Sequence, residues 1–184
     1  MQTAAVTPTA SVAYKLDSTH ASAQFKVRHL MVASVRGELG EVTGEVQLDA
    51  ADPSRSTATA RIDVTAINTR NADRDAHLRS ADFLDVANFP ALTFRSTAVR
   101  ATGPGELKVD GELTLRGTTR PVTLSVELSD EIKDPWGNVK RGLTATTRLD
   151  RRAFGLTWNA ALETGGVVVG ENVDVTIEAE LVRV

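Results

Sequence analysis

Cysteine is absent from this 184-residue chain, which excludes disulfides and thiolate chemistry and leaves redox compartment unread. Aromatic residues are scarce at 4%, while Val, Leu and Ala abound, so bulky rings do not fill the core everywhere. Such a core either leaves room for a cavity or packs small side chains closely. Neither charge sign dominates. Lys plus Arg number 21 against 24 Asp plus Glu, a net −3 with no basic run, which excludes a nucleic-acid footprint; an anionic lipid surface gains nothing from this composition, while a single lipid molecule could still bind inside. No run approaches the roughly 18 apolar residues of a membrane helix, so stable membrane insertion is not expected. The opening MQTAAVTPTASVA has no positive region and no continuous apolar run, unlike a secretory leader. A cytoplasmic location is therefore expected, or a periplasmic or secreted one if a leader has been removed.

What is present is alternation. After a loose tail expected over residues 1–11, a single domain over 12–184 is expected, within the size range of one barrel or sandwich. Ala21, Ala23, Phe25 and Val27 alternate with Ser22, Gln24, Lys26 and Arg28, the period-two signature of a strand with one dry face. A long strand beginning near Val35 continues through Val42, Gly44, Val46 and Leu48, curved by Gly37, Gly40 and Gly44. Further stripes run through Ala58–Ala66, Leu92–Phe94, Leu107–Leu115, Val122–Leu128, Leu143–Leu149 and Val173–Leu181. Turn residues punctuate them at Gly103-Pro104-Gly105, Arg116-Gly117 and Asp134-Pro135-Trp136-Gly137. Eight or nine near-consecutive amphipathic strands predict an all-β, antiparallel up-and-down barrel, because closure removes exposed edges. A two-sheet sandwich is the competing architecture.

The stretch from Asn68 to Ser96 breaks this pattern, and a connection that long in a compact domain is usually functional or disordered. Its punctuation argues for order. Asn71 suits the cap of a short helix with Asp73 and Asp75 in its first turn, and Phe89-Pro90 forces extended backbone before the next strand. The expectation is one short helix lying near the barrel mouth.

Candidate chemistry is sparse. His20, His29 and His77 lie on different elements without ligand spacing, so no metal site is expected. Asp73, Arg74, Asp75, His77 and Arg79 crowd the short helix. They form either a solvated face or a mouth where Arg74, His77 or Arg79 meets a polar ligand head. No nucleophile motif accompanies His77, and no phosphate loop is present. On the dry strand faces, Phe25, Val27, Leu39 and Phe94 are expected to line the interior. Leu113, Leu124 and Leu143 continue that lining, while Phe83, Phe89, Phe154 and Trp158 close its ends, as plug or pocket wall.

Five separated motifs then resemble one family in order. They are Tyr14-Lys15-Leu16-Asp17 with His20, Phe25 to His29, Arg74 to Asp85 with Phe89-Pro90, Leu113 to Gly117 with Arg120-Pro121-Val122, and Phe154-Gly155-Leu156 with Trp158-Asn159. The run from Val169 through Glu171 to Glu180 also fits, and the family is that of the YceI-like proteins. The resemblance implies an extended lipocalin-like barrel holding a long apolar chain, typically a polyisoprenoid, without a shared catalytic centre. It carries over His29, Arg74, His77 and Asn159 as motif residues near the pocket. The expected function is thus non-enzymatic binding, transport or storage of an isoprenoid or other long-chain lipid, with no cofactor. The rivals are an enzyme using His77 or His29 as general base, and a homodimeric interaction module.

Overall fold

The computed structural model describes residues 11–163 and 165–184. The loose tail expected over 1–11 lies, but for the exposed Ser11, outside the described residues. Ten strands form one antiparallel sheet: β1 (Val12–His29), β2 (Ala33–Glu38), β3 (Val42–Leu48), β4 (Thr57–Asp63), β5 (Ala91–Gly103), β6 (Glu106–Leu115), β7 (Thr118–Leu128), β8 (Ile132–Lys133), β9 (Val139–Asp150) and β10 (Val169–Arg183). The order β10-β1-β3-β4-β5-β6-β7-β9 closes because β9 also pairs with β10. The result is an eight-staved barrel rather than a sandwich. At about 3.3 Å per residue, the 18-residue β1 gives the barrel an elongated shape.

The expected long strand from Val35 is two strands. Both pair with β1, but the chain leaves the ladder at Leu39-Gly40-Glu41, where Gly40 adopts φ 141° against the Asp63 carbonyl. A side chain there would collide with that carbonyl, so the break needs glycine. A second irregularity lies in β1, where Ser18–His20 bulge out between the pairs Asp17↔Glu180 and Ala21↔Ala179.

Local signals elsewhere are realised as expected. The Asn71 side chain accepts the Arg74 N–H at 2.9 Å and caps α1 (Ala72–Arg79). Asp134 accepts the Trp136 and Asn138 N–H groups, and its carbonyl receives the Gly137 N–H, closing the turn before β9.

One seam of the wall is weak. β6 and β7 pair from Glu106↔Glu127 to Leu115↔Thr118, but β7 meets β9 only from Ser125↔Thr146 to Leu128↔Leu143. Beyond that the two strands splay. The gap is bridged by side chains, Thr147 Oγ1 donating to the Thr123 carbonyl at 3.0 Å and Arg120 Nε to the Ala153 carbonyl at 3.1 Å. Pro121, which has no N–H to leave unpaired, sits on this edge. The Phe154 ring, 3% exposed, comes from the 3-10 turn Arg151–Phe154 and lines the groove over the splay, together with Leu149 and Val175.

Candidate functional site

Inward side chains of alternating parity build the interior, and they leave two cavities along its length. The lower one, about 90 Å³, is lined by residues including Leu16, Val42, Phe94, Leu124, Leu143 and Leu181. The upper one, about 100 Å³, is lined by Phe25, Leu39, Leu84, Leu92, Leu115 and Leu156 among others, with Arg151 as its one charged lining residue among those described. At roughly 10–15 Å³ for each water-sized group, each cavity accommodates about six to ten methylene-sized groups. Ala23, Ile62 and Leu113 are buried at levels between the two linings along β1, β4 and β6 and line neither cavity. A chain long enough to enter both has to part that layer.

The upper cavity adjoins an outer one. Phe25, Val27, Leu78, Phe83 and Val169 line both it and a vestibule of about 380 Å³. The vestibule is completed by His29 at the end of β1, Arg74 and His77 on α1, and Trp158 from the long connection before β10. His77 stands edge-on to Phe83 at 5.0 Å and to Trp158 at 4.7 Å, and the Phe83 and Trp158 rings lie 5.3 Å apart. These geometries fall in the favourable range for aromatic pairs and lock the helix to a loop 81 positions away.

The polar groups at the mouth are held by the protein itself. His77 Nε2 faces Asp82 Oδ2 at 2.9 Å, not Asp73 or Asp75. Asp75 is buried and accepts the Thr69 N–H at 2.8 Å and its hydroxyl at 2.5 Å, while Arg74 donates to the same hydroxyl and to the Thr69 carbonyl. This network pins the first turn of α1 to the chain before it. Arg79, expected as a possible head-group contact, instead donates to the Thr65 and Ile67 carbonyls. It fastens the helix, and its lost contact with the mouth follows from pointing at the loop that precedes α1.

Other expected residues also divide. Leu113 is buried in the core but faces neither cavity. Phe89 is 36% exposed with its ring against Gly117, so it packs on the outer turn instead of closing the interior. Phe154 lines the groove over the β7–β9 splay, just past the end of β9. Asn159 Nδ2 donates to the Val169 carbonyl, and its Oδ1 receives the Val169 N–H, which makes it a splint between the connection and β10.

Arg151 was not singled out by sequence. Arg151 is 4% exposed, and its guanidinium donates to the carbonyls of Leu156, Trp158, Val169 and Gly170 and meets no carboxylate of the described residues within bonding distance. Burial pulls its pKa down from the usual arginine value. Parity carried the signal, because Arg151 continues the inward series Leu143, Ala145, Thr147, Leu149.

Asp17, His20 and Glu180 offer ligand atoms within 4.8 Å of one another at the β1 bulge. Lys140 Nζ already sits 2.8 Å from Glu180 and 4.0 Å from Asp17, so the group is a surface ion-pair cluster. The Thr19 hydroxyl and then His20 hold the Asp17 carboxyl far below its ordinary value. Asp63, Asp110, Asp134, Asp150 and Asp174 are likewise lowered, chiefly by side-chain hydrogen bonds from Thr65, Thr123, Asn138, Arg152 and Arg148. Carboxyls depressed in the folded state stabilise it above their unfolded pKa, and that contribution is lost as pH falls through the folded values. The urea midpoint is therefore expected to drop as pH falls below about 4, the unfolded aspartate pKa. A midpoint unchanged down to pH 2 would contradict these assignments.

Comparison with known proteins follows the same architecture. The YceI-like domain model matches residues 14–181. A UPF0312 protein of Vibrio cholerae is 38% identical over 145 residues, covering 78% of this chain and 77% of its own length. Among solved structures, BcnA of Burkholderia cenocepacia superposes with a TM-score of 0.78 at 19% identity, covering 90% of this chain and 98% of BcnA. A polyisoprenoid binding domain from Saccharophagus degradans, implicated in plant cell wall breakdown, superposes at 0.65 and 16% identity, covering 94% and 99%. With a matched model spanning nearly the whole barrel and a relative this similar, the chain belongs to the YceI-like family.

Proposed function

We propose that the barrel binds a long apolar lipid, most simply a polyisoprenoid, without converting it chemically. The observation that carries this reading is an apolar upper cavity that shares Phe25, Val27, Leu78, Phe83 and Val169 with the adjoining polar-edged vestibule. A hydrocarbon tail gains about 25 cal/mol for each Å² of apolar surface taken from water, so the tail supplies affinity while the vestibule selects the head. Arg74, His77 and Trp158 line the vestibule, and in this reading His77, Trp158 and the part of the Arg74 guanidinium not bonded to Thr69 meet that head. The family membership and the name of the Saccharophagus domain support the ligand class.

The test is native mass spectrometry of the purified protein, followed by organic extraction. A stoichiometric linear lipid is the expected result. A protein that stays ligand-free after incubation with isoprenoids and fatty acids overturns the reading.

The His77–Asp82 pair favours one alternative, an enzyme with His77 as general base in the same cavity. It requires turnover lost in His77→Ala while lipid retention survives. A homodimer is the other alternative, and among the described residues the strand edges open to it are β2, β8, β5 beyond Arg95 and the β7–β9 splay.

A further inference from the structure

The turn joining β1 to β2 carries Leu30, Met31 and Val32, which are 39, 56 and 79% exposed. They are three of the seven large apolar residues exposed among the described residues, and here they are consecutive. Leu30 and Met31 also adopt φ 51° and 62°, the left-handed region that bulky residues rarely occupy. Asn-Gly would fit such a turn with less strain and more solubility. An apolar tip held in this conformation asks for an apolar partner.

Its surroundings say which. Lys26, Arg28 and Arg36 are exposed on the same hairpin, Lys26 facing Arg36 across the ladder and Arg28 donating to the Met31 carbonyl at 2.8 Å. The acidic groups near this end include Asp174, opposite Lys26 and paired with Arg148, Glu38 at the far end of β2, and Asp73 across the vestibule, where Arg74 stands beside it. The overall charge of −3 thus hides a local cationic collar around an apolar point. The tip also adjoins the mouth, since the Leu30 N–H donates to the Val168 carbonyl, and Arg28, His29 and Val168 line the vestibule. A protein partner of ordinary affinity needs roughly 800 Å² per side, far more than three side chains provide. A bilayer needs only a few apolar side chains below its headgroups and cations beside its phosphates.

We propose that the Leu30–Val32 turn is a membrane-docking tip that seats the vestibule on a lipid bilayer. Bilayer docking is independent of the carrier reading; the two together make the vestibule the point of exchange. The measurement is flotation of the full chain with vesicles of phosphatidylcholine, and with vesicles of phosphatidylethanolamine and phosphatidylglycerol in equal parts. The wild type is expected to float with both and more strongly with the anionic ones. The triple variant Leu30→Asn, Met31→Gly, Val32→Thr is expected to partition about tenfold less or weaker, with Tm maintained because Asn and Gly suit the turn. Lys26→Gln with Arg36→Gln is expected to weaken only the binding to anionic vesicles.

A wild type that floats with neither vesicle overturns the proposal, as does a triple variant that floats unchanged. Binding that salt alone abolishes, or a dimer in sedimentation that only the triple variant dissolves, assigns the tip to other partners and overturns it as well. Failure of the carrier reading is recognised separately, as flotation that persists in a protein from which no lipid is ever extracted.

Discussion

Val27→Trp is expected to empty the barrel of lipid while leaving it folded. Val27 is one of the five residues shared by the upper cavity and the vestibule, so an indole there fills the space where the two adjoin. A tail excluded from the upper cavity loses burial of about seven methylene groups at about 0.8 kcal/mol each, several kcal/mol in all. Affinity is therefore expected to fall by roughly 100-fold or more. Val27 is only half-buried and borders the roomier vestibule, which limits the overpacking cost to about 1–3 kcal/mol. Extraction and native mass spectrometry read the lipid, and a thermal melt shows that the fold survives. Full occupancy in a folded Val27→Trp protein would place the lipid elsewhere, with the lower cavity as the next site to block.

Arg151→Met is expected to be the most damaging single change to stability. The guanidinium is the shared donor for four carbonyls, from Leu156, Trp158, Val169 and Gly170, at the base of the connection that carries Trp158 to the mouth. Removing the guanidinium leaves buried carbonyls without donors at about 1–3 kcal/mol each, part of which water recovers, a loss of about 3–5 kcal/mol in all. In a chain of this size that corresponds to a Tm lower by about 6–20 °C. Arg151→Lys is expected to recover little, because an ammonium is a point donor and does not span carbonyls arranged around a planar fork. Urea unfolding checks both. A loss under about 1 kcal/mol for Arg151→Met would mean that water replaces the guanidinium without cost.

Much of the wall was legible from alternation alone. Phe25, Leu39, Phe94, Leu124 and Leu143 lie on the interior because a strand's two faces are set by its own parity. The helix cap at Asn71 was equally local, since cap and first turn are neighbours in sequence. Failures arose where a residue's surroundings come from elsewhere in the chain. Hydrophobicity alone points Phe89 and Phe154 to the barrel ends, but what each ring meets is set from afar: Phe154 lines the groove over the β7–β9 splay and Phe89 covers Gly117. Arg79 and Asn159 have the chemistry of ligand contacts but are consumed by backbone groups that sequence spacing does not place beside them. Arg151 hid among Asp150 and Arg152 as an ordinary surface charge, although its parity pointed inward.

The sequence by itself determined which faces of the strands are dry, where the turns fall and that one short helix interrupts them. Periodicity and capping act over a few residues, and their free energies are decided within that window. Tertiary structure alone decided that β10 closes onto both β1 and β9, that β7 and β9 part company after four pairs, and that the interior divides into two cavities. It also brought His77, Phe83 and Trp158 together and put a buried cation beside the upper cavity. Register and cavity shape depend on side-chain volumes and backbone partners that meet from distant segments, and no local pattern contains that information.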